Sequence, residues 1–122
     1  MKKLTKAEEE IMQIIWKLGR CTVSDIRQYM EVELQLMKPP HSTVSTVVRT
    51  LEEKGILAHK AYGRTYEYFP TMTKHDYSRQ TLKKFVSDYF DGSMKRLVSF
   101  MVDAQNISLN ELPDLLDKVE EE

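Results

Sequence analysis

The stretch from His41 to Pro70, HSTVSTVVRTLEEKGILAHKAYGRTYEYFP, limits the folds open to this chain more than any other. Val44, Val47, Val48 and Leu51 recur at the i, i+3, i+4, i+7 spacing of one buried helix face. Their β-branched side chains would favour a strand on propensity alone, so the periodicity has to overrule propensity. Leu51 to Lys54 continues with good helix formers, and Gly55 is the expected C′ stop. Ile56 to Tyr62 and Thr65 to Pro70 then alternate as two short strands around Gly63 and Arg64, with Gly63 as the permissive turn residue. A helix, a stop and a hairpin with Lys60 and Arg64 near its tip is the order of a winged helix-turn-helix. A plain hairpin packed on a core would show the same strands without the basic tip.

The other face of this helix carries Ser42, Thr43, Thr46, Arg49 and Glu53, with Ser45 and Thr50 on its flanks. Short hydroxyl side chains let a helix backbone come close to DNA. They bond phosphates or base edges, and a threonine methyl can touch a thymine methyl. Arg49 suits a phosphate or the O6/N7 edge of guanine. A merely solvated polar face would look alike. The candidate DNA-binding residues are therefore Ser42, Thr43, Ser45, Thr46 and Arg49 on the helix, with Lys60 and Arg64 on the wing.

Charge is distributed accordingly. The 122 residues carry a net charge of −1. Residues 38–75 hold six Lys/Arg against three Asp/Glu, and residues 76–122 hold six against ten. The basic excess falls on the candidate reading segment and the acidic excess on the tail. A single cysteine, Cys21, rules out an internal disulfide; in a turn between helices it reads as a small structural residue rather than a redox sensor. No apolar signal core follows Met1, and no run approaches the ~18 apolar residues of a membrane span. A cytoplasmic location without membrane insertion is expected.

Two helices should precede the reading helix. Thr5 and Glu8 form a capping box for a helix to Leu18, with Ala7, Ile11, Ile14, Ile15 and Leu18 inward and Trp16 at an edge. Gly19 ends it. A second helix should run from Thr22 to about Leu36, with Val23, Ile26, Tyr29 or Met30, and Leu34 inward. Pro39 and Pro40 then hold the chain extended before Ser42 caps the third helix.

Beyond the hairpin three more helices are expected: Thr73 to about Phe90, Met94 to Asp103, and one opened by a capping box at Ser108 and Glu111. Phe85, Tyr89, Leu97, Val98, Phe100, Met101, Leu109, Leu112, Leu115 and Leu116 crowd onto them. Three short helices cannot easily bury that much apolar surface in one chain, so a second copy is the economical partner. Folding back onto the winged domain is the alternative. The chain is thus read as mainly α with a small β-wing: a winged-helix DNA-binding domain at 1–72 and a helical dimerisation domain at 73–122.

Catalysis finds no support. His41, His59 and His75 lack metal-ligand spacing, and no G-x-S-x-G, P-loop or dinucleotide-binding pattern occurs. No catalytic residue, metal or cofactor is assigned. A winged-helix module for protein rather than DNA is the rival reading; it would want an apolar or acidic reading face.

The runs TKAEEEIMQIIWKLGRCTVSDI, HSTVSTVVRTLEEKGIL, YGRTYEYFP, GSMKRLVSFMVD and SLNELPDLL together resemble the penicillinase-repressor family over about residues 4–118. The resemblance implies a bacterial homodimeric transcriptional repressor on a double-stranded dyad operator. It places Thr43 and Thr46 at base-reading positions and Arg64 at the wing position. Two departures matter. Thr50 stands where the family usually has an arginine, and Arg49 precedes it, so the operator sequence does not carry over. The β-lactam-responsive members are cut by a membrane-bound sensor protease at an Asn-Phe bond, where this chain has Ser99 and Phe100. The cysteine cluster of copper-responsive members is missing.

Overall fold

The computed structural model describes residues 3–105. Five helices and one hairpin follow in order: α1 Lys6–Leu18, α2 Val23–Val32, α3 His41–Glu53, β1 Leu57–Tyr62, β2 Thr65–Pro70, α4 Lys74–Tyr89 and α5 Met94–Gln105. The chain divides after Lys74 into two compact units. The expected last helix, with Leu109, Leu112, Leu115 and Leu116, lies outside the described residues.

In the first unit α1, α2 and α3 pack around a core of Ile11, Met12, Ile14, Ile15, Ile26, Val44, Val48 and Leu51, all buried. The expected Thr5–Glu8 capping box forms, and a second one opens α2. The Glu8 N–H donates to the Thr5 hydroxyl and the Thr5 N–H to the Glu8 carboxylate, and Thr22 and Asp25 repeat the exchange. The α1 stripe differs at its margins from the sequence reading. Ala7 and Leu18, in the terminal turns, face solvent, while Met12 closes the core from the adjacent row. An unbranched thioether fills such a gap readily, which apolar spacing alone does not reveal.

α2 ends at Val32, short of the expected Leu36. The Leu36 N–H returns to the Met30 carbonyl at 3.0 Å, and Gln35 takes a left-handed backbone at φ +53°. Sequence patterns reserve that stop for glycine or asparagine, so it was not legible. Leu34, expected inward, is exposed in consequence, as are Leu36 and Met37. Arg27 Nε donates to the Pro39 carbonyl at 2.8 Å and ties down the extended connection.

Ser42 does not cap α3. The helix begins at His41 behind Pro40, whose carbonyl accepts from the Thr43 and Val44 N–H groups, and no side chain caps it. Proline presets φ and places that carbonyl, leaving the Ser42 hydroxyl on the outer face. The other end follows the expected stop. The Gly55 N–H bonds the Glu52 carbonyl at 2.9 Å and the Ile56 N–H the Leu51 carbonyl at 3.2 Å, a Schellman closure with Gly55 at φ +83°.

The hairpin is antiparallel, with Tyr62 opposite Thr65, His59 opposite Tyr68 and Leu57 opposite Pro70. Gly63, at φ +64°, and Arg64 make the two-residue turn. The wing is fastened to the core through backbone. The Cys21 N–H donates to the Tyr68 carbonyl at 3.0 Å, and the Tyr68 N–H to the Cys21 carbonyl at 2.7 Å. The Trp16 indole N–H donates to the Met72 carbonyl at 2.9 Å just beyond β2.

In the second unit α4 and α5 flank a reversal in which Asp91 and Gly92 both have positive φ. Phe85, Tyr89, Phe90 and Phe100 form a chain of tilted ring contacts with centroids 5.0 to 5.8 Å apart. Among the described residues of this unit only Val86 is fully buried, whereas Leu82, Phe85, Tyr89, Met94 and Phe100 are exposed. Leu97, Val98 and Met101 are half-buried.

One buried charge pair spans the first unit: Lys54 Nζ lies 2.6 Å from Glu8 Oε1 and also donates to the Lys3 carbonyl. Burial alone would raise the Glu8 pKa. The Lys54 hydrogen bond, the Thr5 contacts and the Lys54 charge outweigh it, and the carboxyl sits below its ordinary value of 4.5. Such a group adds stability that is fully present above the unfolded value and is lost as pH falls through the folded one. Glu8→Gln should lower neutral-pH stability by about 2–3 kcal/mol, because Lys54 loses its partner but can still swing toward water. Denaturant titrations should show the gap between Glu8→Gln and the native chain narrowing as pH falls below about 4.

Cys21 is buried, and burial, followed by the charges of Asp25 and Glu67, pushes its thiol up to about 12. The thiolate is the reactive form. Folded protein should resist alkylation at about pH 8 that goes to completion in denaturant; rapid labelling of the folded chain would contradict a structural role.

Candidate nucleic-acid interface

The reading helix is built so that one face cannot be buried. Val44, Val48 and Leu51 commit the inner face to the core, which turns Ser42, Thr43, Thr46 and Arg49 outward, all exposed, with Ser45 and Thr50 half-buried on the flanks. The Thr46 hydroxyl donates to the Ser42 carbonyl at 2.9 Å, and the Thr50 hydroxyl to the Thr46 carbonyl at 3.0 Å. Arg49 reaches back to the Ser45 hydroxyl at 3.2 Å. Its guanidinium makes no ion pair among the described residues.

A cleft of about 580 Å³ separates this helix from the wing. Ser45, Arg49, Glu52 and Glu53 of α3 line one side, His59, Arg64, Tyr66 and Tyr68 the other, and Thr22 and Ser24 at the start of α2 close an end. Three of the residues singled out in the sequence thus meet here: Ser45, Arg49 and Arg64. Ser42, Thr43 and Thr46 stand on the exposed helix face outside the cleft. Lys60 stands apart. Strand alternation puts it on the face opposite to His59, where it lies over the Tyr62 ring at 5.4 Å. That face also holds Arg20 stacked on Phe69 and 3.6 Å from Glu67.

Two groups in the cleft were missed as site residues. His41 lines it from the first turn of α3. His59 faces Glu52, its Nδ1 2.7 and 2.8 Å from the two carboxylate oxygens, and stacks on Tyr66 with ring centroids 4.2 Å apart. The signal was available: alternation in β1 turns His59 toward the side of Leu57, the buried side. Burial raises the Tyr68 hydroxyl pKa, and the Glu52 carboxylate raises it further.

The arrangement offers small hydroxyls and one guanidinium on a protruding helix, a second guanidinium on a hairpin tip, and no constellation of nucleophile and base. The family model described as penicillinase repressor matches residues 4–121. The chain belongs to the penicillinase repressor family. It is similar to the methicillin resistance regulatory protein MecI of Mammaliicoccus sciuri, at 26% identity over 113 residues covering 93% of this chain and 89% of that one. It is equally similar to the penicillinase repressor of Bacillus licheniformis, at 26% over 119 residues, covering 98% and 91%. The solution structure of the DNA binding domain of the repressor BlaI superposes with a TM-score of 0.50 at 29% identity, covering 63% of this chain and 94% of that one. The winged-helix architecture expected from the sequence is therefore the fold, and the family is one of transcriptional repressors, not enzymes. No described helix is long and apolar enough to cross a membrane.

Proposed function

We propose that this chain is a sequence-specific DNA-binding repressor that acts as a homodimer on a dyad operator. The observation that carries the reading is the outward face of α3, where Thr43, Thr46 and Arg49 stand exposed on a helix whose opposite face buries Val44, Val48 and Leu51. That face enters a major groove, and Arg64 at the wing tip reaches the neighbouring backbone. The relatives named as regulators and repressors, and the DNA binding domain of BlaI, support it.

Dimerisation rests on the second unit. Phe85, Tyr89 and Phe100 leave an apolar, aromatic surface exposed on a single chain. A second copy covers it and holds two reading helices about one DNA turn, ~34 Å, apart. Ser99 and Phe100, where the family resemblance places a cut site, are exposed but lie inside α5. A sensor protease that binds extended backbone has to unwind that helix first, which couples cutting to loosening of the same surface.

Fluorescence anisotropy on duplex DNA from upstream of the gene, against a scrambled duplex over a salt series, tests the reading. A preference of ~10³-fold or more is expected, with the affinity for both duplexes falling as salt rises. Equal weak binding to both duplexes would instead favour a protein partner. Arg49→Ala should cost ~1–3 kcal/mol on the preferred duplex only. Arg64→Ala should weaken binding to all duplexes and lower the salt slope by about one. For the dimer, Phe100→Asp should give a monomer in light scattering with much weaker operator binding; a variant still dimeric would place the interface elsewhere.

A further inference from the structure

We propose that His59 and Glu52 form a proton-linked positioning pair that clamps the wing to the reading helix and raises DNA affinity as pH falls. The inference rests on the DNA-binding reading above and adds a regulation to it. Glu52 sits in the last turn of α3 and His59 in β1, and the reversal at Gly55 brings them face to face. Nδ1 lies within 2.8 Å of both carboxylate oxygens, so the imidazole is gripped end-on by the reading helix. It is held in place by the wing as well, stacked on Tyr66 at 15° between planes and tilted against Tyr68 at 5.7 Å. No other side-chain hydrogen bond or ion pair joins α3 to the hairpin among the described residues.

The pair lies in the cleft between α3 and the wing, beside Arg49 and Arg64. The charged and titratable groups facing it are His41, Arg49 and Glu53 from α3 and Arg64, Tyr66 and Tyr68 from the wing; the start of α2 contributes only Thr22, Val23 and Ser24. With a neutral imidazole, Glu52 keeps its full negative charge where DNA phosphates approach. With an imidazolium, the two charges cancel and the hydrogen bond becomes a charge-assisted one. Arriving phosphates favour the second form. Binding then takes up a proton, and by reciprocity affinity rises as pH falls. Either form keeps the wing in contact with α3, through an Nδ1–H donor in both, but only the cationic form does so without a bare carboxylate.

The test is operator affinity by anisotropy at about pH 8 and about pH 6, at fixed ionic strength. The native chain is expected to bind about three- to tenfold more tightly at the lower pH. His59→Gln, which retains a donor but takes up no proton, should flatten that profile. Glu52→Gln should bind at the higher pH nearly as tightly as the native chain does at the lower. His41→Gln should keep the native pH dependence. A native profile without pH dependence, or one abolished by His41→Gln but kept by His59→Gln, overturns the proposal while leaving the DNA reading standing. Absence of operator preference at either pH overturns the DNA reading and this proposal with it. Two independent substitutions guard against misfolding of one: a flat His59→Gln profile counts as support only with the Glu52→Gln gain at higher pH, and without that gain the proposal fails.

Discussion

The reversal at Gly55 is the constraint on which the first unit depends. Within three residues the chain must end a helix, turn back and start a strand. Gly55 accepts the left-handed backbone at φ +83°, a conformation that costs an ordinary L residue roughly 1 kcal/mol or more. The neighbours on either side serve other parts of the fold. Lys54 reaches Glu8 at the start of α1. Ile56 is buried, and its carbonyl accepts the Thr71 N–H at 2.9 Å while the Thr71 hydroxyl donates to the Gly55 carbonyl at 2.6 Å. The outgoing and returning ends of the wing are therefore pinned to the stop that terminates the reading helix. The angle between wing and helix is set locally, before any longer-range packing is invoked.

Short-range signals made that part legible. The spacing of Val44, Val48 and Leu51, the glycine stop, the alternation of the hairpin and the Thr5–Glu8 capping box each act within a few residues, and each appears where the sequence placed it; Val47, at the margin of the stripe, is only half-buried. What escaped depended on contacts that spacing cannot express. Gln35 adopts a glycine-like backbone with no local marker, so the sequence pattern runs α2 on to Leu36 and turns Leu34 inward, whereas the helix stops at Val32 and Leu34 is exposed. Pro40 took the capping position that Ser42 was expected to fill. Glu8 was expected only as a capping residue, yet the box turns it inward toward a lysine 46 positions away. Segment charge misled for the same reason: Lys54 counted toward the basic excess of the reading segment, but its charge is held by Glu8 in the core.

The charges left to a DNA partner are correspondingly few. Arg49 and Arg64 share the cleft, Lys60 lies on the far face of the hairpin, and Glu52 and Glu53 stand on the reading side. A surface of this kind gains little from bulk attraction to phosphate, which scales with the number of phosphates neutralised. Under the proposed function, discrimination between sequences comes from close fit along α3 and from joining two such helices, since pairing two half-sites multiplies a modest preference. The exposed aromatic surface of the second unit and the sparse charge of the first are thus two sides of one design under the proposed function.

The hydroxyls on α3 differ in what they can still do. Thr46 and Thr50 have committed their protons to carbonyls one turn back, which fixes their rotamers. Toward a base edge they present oxygen lone pairs and a methyl group, suited to an amino donor or a thymine methyl. No hydrogen bond within the described residues engages the Ser42 and Thr43 hydroxyls, so these can rotate to donate or accept. The first turn of α3 is therefore adaptable and the second is set. Arg49 extends the set half, because its bond to Ser45 holds the guanidinium against the helix and toward the cleft rather than straight out. Under the proposed function, base choice by this helix is dictated most strictly at the positions facing Thr46 and Arg49, while Ser42 and Thr43 tolerate variation.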